Sequence, residues 1–146
     1  MKNTLLNLWQ FPQIIAGLIL VKFAWKNKLE ELSEKELRHL HGLEKLVSKK
    51  IYIVKEGFLK KLASFSFGHT VILKSGRQHD KNCVKHECIG HALQSRRFGI
   101  FYLPFVGVAS VTLNIINRFH KIDYYSFWPE NQADKLGGVV RSPSWV

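Results

Sequence analysis

Two apolar stretches dominate the pattern of the chain. The first, Leu5 to Trp25 (LLNLWQFPQIIAGLILVKFAW), matches the length of about 20 residues needed to cross a bilayer as a helix. Asn7, Gln10, Pro12 and Gln13 interrupt its first half, and Lys22 sits near its end. The first half therefore reads as interfacial, with Trp9 and Phe11 as belt residues, and Ile14 to Leu20 as the lipid-like part. Lys2 alone is a poor basic leader, and no Ala-x-Ala-like site precedes Trp25, so a retained membrane segment or a core helix is expected over a cleaved signal. The second stretch, Phe98 to Phe119 (FGIFYLPFVGVASVTLNIINRF), carries no charge before Arg118. Gly99, Pro104 and Gly107 break it up, which predicts a kinked buried helix, a re-entrant segment or a span.

Between these stretches, Asn27 to Lys50 is charged, with Leu29, Leu32, Leu40, Leu43, Leu46 and Val47 at mostly helical spacing. An amphipathic helix is expected there, weakest at Gly42. Lys50 to Lys55 (KIYIVK) and Ser64 to Lys74 (SFSFGHTVILK) alternate and are rich in β-branched and aromatic residues. With Glu56-Gly57 opening the connection, they are expected to pair as a small antiparallel sheet ending at Ser75-Gly76-Arg77. The elements add up to an α+β, mainly helical fold in a single domain, 1–146. An apolar N-terminal helix covers 1–26, the charged helix 27–50 and the remaining core 51–146, with a short antiparallel β hairpin and a short C-terminal helix.

Composition narrows the function classes. The chain has 146 residues, 46% of them hydrophobic and 23% charged, which argues against a disordered chain and a two-domain cofactor enzyme. Its net charge of +11 suits an anionic membrane surface or nucleic acid. The basic residues are scattered and no nucleic-acid motif is present, so no specific nucleic-acid partner is expected. Cys83 and Cys88, five apart, point to different faces of a helix and suit a reducing compartment.

Candidate chemistry concentrates in His79 to His91 (HDKNCVKHECIGH), which holds His79, Asp80, Cys83, His86, Glu87, Cys88 and His91. In a His-Glu-x-x-His helix, i and i+4 place both imidazoles on one face, and the intervening Glu reaches the metal-activated water as general base. Here His86 and His91 are five apart, which on a regular α-helix turns them roughly 140° from each other. A π-bulge would realign them, and Gly90 lowers the cost of that distortion. Three alternatives use the same residues: Glu87 with His91 and Cys83 on one face, a structural zinc site of Cys83, Cys88 and two histidines, or a helix with surface histidines and half-buried cysteines. Farther on, Trp128 to Asp134 (WPENQAD) contains Glu-x-x-x-Asp, the pairing that completes a two-His, one-Glu zinc site. Glu130 is the candidate third ligand, and Asp134, one turn on, the candidate partner of a ligating imidazole. Pro129 suits the start of this short helix and Gly137-Gly138 its end.

The ordered set LWQFPQ, SFGHTVIL, KHECIGHALQSRRFGIFYL and YYSFWPENQADKLGGV resembles a family of small membrane-associated zincin-like proteins of gut bacteria and their mobile elements. Members usually read His-Glu-x-Gly-His-x-x-Gln-Ser, then Leu-Gly-x-x-Tyr-Leu, and end in Thr-Glu-x-x-Ala-Asp-x-Leu-Gly-Gly. The similarity spans most of the chain outside 27–50 and departs from the pattern in two places. One residue is added between Glu87 and His91, and Pro129 stands where threonine is usual. The resemblance implies zinc held by His86, His91 and Glu130, with Glu87 as the base and Asp134 as outer support; the expected peptide or protein substrate follows from the motif and not from the resemblance.

If these ligands share one ion, the second apolar stretch cannot run straight through a bilayer. Gly99 to Asn117 would extend about 28 Å and deliver Glu130 to the wrong side. A bend at Pro104 and Gly107 is expected. If only the first stretch spans, the basic remainder should be cytoplasmic. His120, Tyr124 and Tyr125 are candidate oxyanion donors, with core packing the expected role of the tyrosines, while His39, His41 and His69 read as structural or solvated. The two function classes are thus a membrane-associated zinc metallopeptidase and a non-catalytic basic membrane protein that binds lipid or a partner.

Overall fold

The computed structural model describes residues 2–24, 29–56 and 64–141. It is an α+β fold, mainly helical, around a four-stranded sheet. The strands are β1 (Leu29–Leu32), β2 (Lys50–Val54), β3 (Phe65–Phe67) and β4 (Thr70–Lys74), in spatial order β1-β2-β4-β3.

The expected antiparallel pairing of Lys50–Lys55 with Ser64–Lys74 is corrected. β2 and β4 run parallel, with Ile51 opposite Val71 and Ile53 opposite Leu73. The second stretch spends its own turn on a hairpin: Gly68, at φ +60°, reverses the chain so that β3 pairs antiparallel with β4. That reversal brings β4 alongside β2 in the same direction. Both central strands are covered on both faces, as their continuous apolar composition requires. The connection expected from Glu56-Gly57 lies, from Gly57 on, outside the described residues.

The single amphipathic helix expected over 27–50 is also corrected; positions 27 and 28 lie outside the described residues. Leu29–Leu32 is an edge strand antiparallel to β2, and α3 spans only Glu34–His41. Gly42 takes the left-handed conformation at φ +59°, and its N–H caps the helix on Arg38 and His39. Leu46 still reaches the core, but from irregular chain.

The sheet carries a core on each face. Ile51, Val71 and Leu73 meet Leu37, Leu46, Val84 and Cys88, while Tyr52, Val54 and Ile72 meet Leu20, Val21 and Leu29. The second layer comes from α1 (Lys2–Trp9) and α2 (Phe11–Ala24). Gly17 lets α2 approach the hairpin, where an added Cβ would stand 3.1 Å from the Phe67 Cβ.

Two of the polar residues of the first apolar stretch face the protein, while Asn7, Lys22, Trp9 and Phe11 stay exposed. Gln10 and Gln13 are fully buried and turn inward, each donating to the Ser95 hydroxyl, and Gln13 also donates to the Gly99 carbonyl at 2.8 Å. Trp9 donates to Arg96 O at 3.1 Å and lies where a side chain on Gly99 would be.

The remaining helices run as a chain: α4 (Lys81–Lys85), a π-turn (His86–His91), α5 (Ala92–Phe98), a 3-10 turn (Gly99–Phe101), a second π-turn (Tyr102–Gly107) and α6 (Val108–His120). The second apolar stretch is therefore not a straight helix. Pro104 and Gly107 fall inside its π-turn, but the break itself sits at Gly99, at φ +53° and ψ −129°. Beyond a 3-10 turn at Tyr124–Ser126, α7 (Glu130–Gly137) packs back onto the first π-turn.

Candidate metal centre

The centre is built on a helix that changes its pitch. Asp80 caps α4, its carboxylate accepting from the backbone N–H of Asn82 and Cys83 at 3.0 and 3.1 Å, so this ligand-type side chain serves the helix terminus. One turn later the chain widens into the π-turn His86–His91. The extra residue between the histidines is absorbed there, and the rings meet edge to face with centroids 4.6 Å apart.

The third group arrives on α7 because two glycines let backbones touch. A Cβ on Gly90 would stand 2.2 Å from Ala133 O, and one on Gly137 would stand 2.5 Å from Lys85 O. This approach sets Glu130 and Asp134, one turn apart, against His86. Glu130 Oε2 lies 3.0 Å from His86 Nε2 and 3.4 Å from His91 Nε2. One ligand atom from each of His86, His91 and Glu130 lies within 4.8 Å of the others, and all three residues are buried.

The hydrogen bonds behind the rings decide which nitrogen faces inward. His86 Nδ1 donates to Asp134 Oδ1 at 2.6 Å, since a carboxylate can only accept. His91 Nδ1 meets Gln94 Oε1 at 2.7 Å. The amide orientation of Gln94 follows from its nitrogen, which donates to Pro129 O at 2.8 Å and to Gln132 Oε1 at 3.0 Å. Both rings thus carry a proton on Nδ1 and turn Nε2 toward one carboxylate. Lone pairs facing a carboxylate repel it unless a cation lies between them, either a proton on Nε2 or a metal ion. Two imidazole nitrogens and one carboxylate are a donor set that can hold such an ion.

The electrostatics agree with that arrangement. Burial alone would lower the His86 pKa, but hydrogen bonds to Asp134 and Glu130 outweigh it and raise the pKa to about 9. Glu130 is pulled well below the carboxylate range against its own burial, by His86, His91 and Ser110. Asp134 is likewise lowered against burial by His86 and Arg141. Glu87 shifts the other way. Burial pushes its pKa up, with His91 and His86 only partly opposing, and its Oε2 is buried with no hydrogen-bond partner among the described residues. A carboxylate oxygen left unbonded beside the cluster is costly for folding and available for proton transfer.

Three supports carried no role in the sequence. Gln94 follows His91 at i+3, a spacing that could have marked it. Ser110 donates to Glu130 Oε1 at 2.5 Å from inside an apolar run that gave no signal. Arg141 donates to both Asp134 oxygens at 2.6 and 2.9 Å and lies 3.4 Å over the Tyr125 ring, which is 5.4 Å from His86.

Other expected ligands stand apart. Cys88 belongs to the sheet core, and Cys83, its pKa pushed up to about 12 by burial, lies beside Ser64. Both cysteines are free thiols. His41 bonds Gln78 O, His69 bonds Asn7, and His39 and His120 are exposed. Tyr124 and Tyr125 stack edge to face beside the cluster. Comparison of the chain with protein-family models, with curated proteins and with solved structures gave no match, so the reading of this centre rests on its own geometry.

Proposed function

We propose that the protein is a membrane-associated zinc metallopeptidase of the zincin-like type, with His86, His91 and Glu130 as ligands and Glu87 as general base. The single observation that carries the reading is the inward-facing pair of Nε2 atoms at 3.0 and 3.4 Å from one Glu130 oxygen. Zinc bound there supplies a Lewis acid for the scissile carbonyl and lowers the pKa of the attacking water. The chain's own groups do the rest. Glu87 accepts a proton from that water and returns it to the departing amine, so one water adds across the broken C–N bond. Asp134 and Gln94 hold the imidazoles in their Nδ1-protonated form, and Arg141 holds Asp134.

Metal analysis of the purified protein is the test. One zinc per chain is expected, lost in His91→Ala and in Glu130→Ala. The second reading, a basic membrane protein without catalysis, draws on the His86 pKa of about 9: a proton shared between His86 and its two carboxylates satisfies the cluster without any metal. Metal-free protein that hydrolyses no peptide and is destabilised by Glu130→Ala would favour that reading.

A further inference from the structure

The centre is closed to water on the side where α6 lies. Glu130 is 1% exposed, and its Oε1 is held by Ser110, in the first turn of α6. Yet α6 has no fully buried residue of its own. Its inner row, Ser110, Leu113, Asn114 and Asn117, is half-buried, while Val111, Ile115 and Phe119 on the outer side are 52%, 50% and 78% exposed. The helical chain Lys81–His120 contains the one window among the described residues long and apolar enough to cross a membrane, and only 17% of that window is buried inside the protein.

The outer face of α6 joins a larger one. The Phe105 ring packs tilted against Phe101 at 6.2 Å, and Phe101 meets Trp9 edge to face at 6.5 Å. From Trp9 the surface continues along α1 and α2 through Leu5, Leu8, Ile15, Leu18, Ile19 and Phe23, all exposed. Gln10 and Gln13 point the other way, into Ser95 and Gly99, so their amide nitrogens are spent inside the protein. A surface this broad and this apolar on a chain of net charge +11 fits an anionic bilayer, whose interior takes the apolar side chains and whose headgroups attract the lysines and arginines. A protein partner would also need polar pairing at the rim. The chain does not cross that bilayer at α6. Ten residues after His120 it is back at Glu130, level with the first turn of that helix.

We infer that this face lies in a lipid bilayer and that the substrate is a peptide segment presented from the membrane, reaching the centre past α6. The inference rests on the peptidase reading, since it names the substrate class of that centre. On the α6 side Glu130 is screened from water by Ser110 and the half-buried row of α6, whereas an apolar segment can exchange with lipid along Val108 and Val111 and displace the Ser110 contact. Hydrolysis remains the addition of one water across one C–N bond.

The test has two arms on zinc-loaded full-length protein with vesicles of phosphatidylcholine and phosphatidylglycerol. In the first, Trp25, Trp128 and Trp145 are replaced by Phe, and brominated lipid is expected to quench at least half of the Trp9 fluorescence. In the second, a mixed peptide library tethered to the vesicles by an acyl chain is expected to be cut at least tenfold faster than the untethered library. V111K/I115K alters only exposed positions. It is expected to keep one zinc per chain and to lose vesicle binding and the tethered preference. Unquenched Trp9, whether in a monomer or in a dimer that shields the face, overturns the inference. So does equal cleavage of both libraries with zinc bound, which leaves the peptidase reading standing. Protein that binds no zinc, or binds zinc and cuts neither library, overturns the peptidase reading and the inference with it.

Discussion

His86 and His91 meet edge to face at an interplanar angle of 86°, although five positions separate them. In an α-helix that separation would turn them roughly 140° apart. The π-turn makes i and i+5 equivalent to i and i+4 of a regular helix, so one residue in the turn is surplus to the centre. Deleting Ile89 leaves His-Glu-Cys-Gly-His and should convert the turn to α geometry with the flanking faces unrotated. Retention of one zinc per chain, and a Tm within a few degrees of the parent, is expected by metal analysis and thermal melting.

Gly90→Ala should separate the two halves of the centre. Its methyl group would fall 2.2 Å from Ala133 O, a backbone atom that moves only if α7 moves. Overpacking of this kind costs about 1–3 kcal/mol, and Glu130 would shift with its helix. A lower Tm and a zinc affinity reduced at least tenfold are expected. Gly107→Ala, with nothing nearer than 3.7 Å, is the control and should do neither.

The imidazole supports should be graded. Asp134→Ala and Gln94→Ala each remove an acceptor from a ring Nδ1 and are expected to weaken zinc binding about 10- to 100-fold. Arg141→Ala leaves Asp134 in place but free to turn, so a smaller loss is expected. Competition titration against a chromogenic chelator measures all three.

Stability should depend on pH through His86. Its pKa rises from 6.5 to about 9 on folding, so its protonated form stabilises chelator-treated protein fully below about 6.5. That contribution, on the order of 3 kcal/mol, is lost as pH rises through about 9. Zinc competes with the same proton, so zinc affinity should climb over the same window while the zinc-loaded protein loses no such stability. Urea denaturation at pH 6 and pH 9, with and without zinc, tests both signs.

Glu87→Gln should divide stability from turnover. The raised pKa of Glu87 means that burying its charge opposes folding above the ordinary carboxylate range. The amide removes that cost, so the variant should keep its zinc and melt no lower than the parent. Its kcat should fall about 100- to 10,000-fold, as expected for loss of a general base.

The sequence by itself determined the ingredients. Clustered ligand-type side chains at His86, Glu87 and His91, the Glu130–Asp134 pair one turn apart, Gly137-Gly138 at a helix end and the two apolar stretches all follow from local spacing, which a chain carries without its fold. Only the tertiary structure decided how these meet. Whether five-residue spacing opens into a π-turn depends on α7 docking at Gly90, and neither glycine contact is visible in either segment alone. The direction of β2 against β4 depended on a hairpin that Gly68 closed locally. The inward turn of Gln10 and Gln13 depended on Ser95 and Gly99, more than eighty residues away. Ser110 and Arg141 had no periodicity to mark them, because a support is defined by the atom it touches and not by its neighbours in the chain.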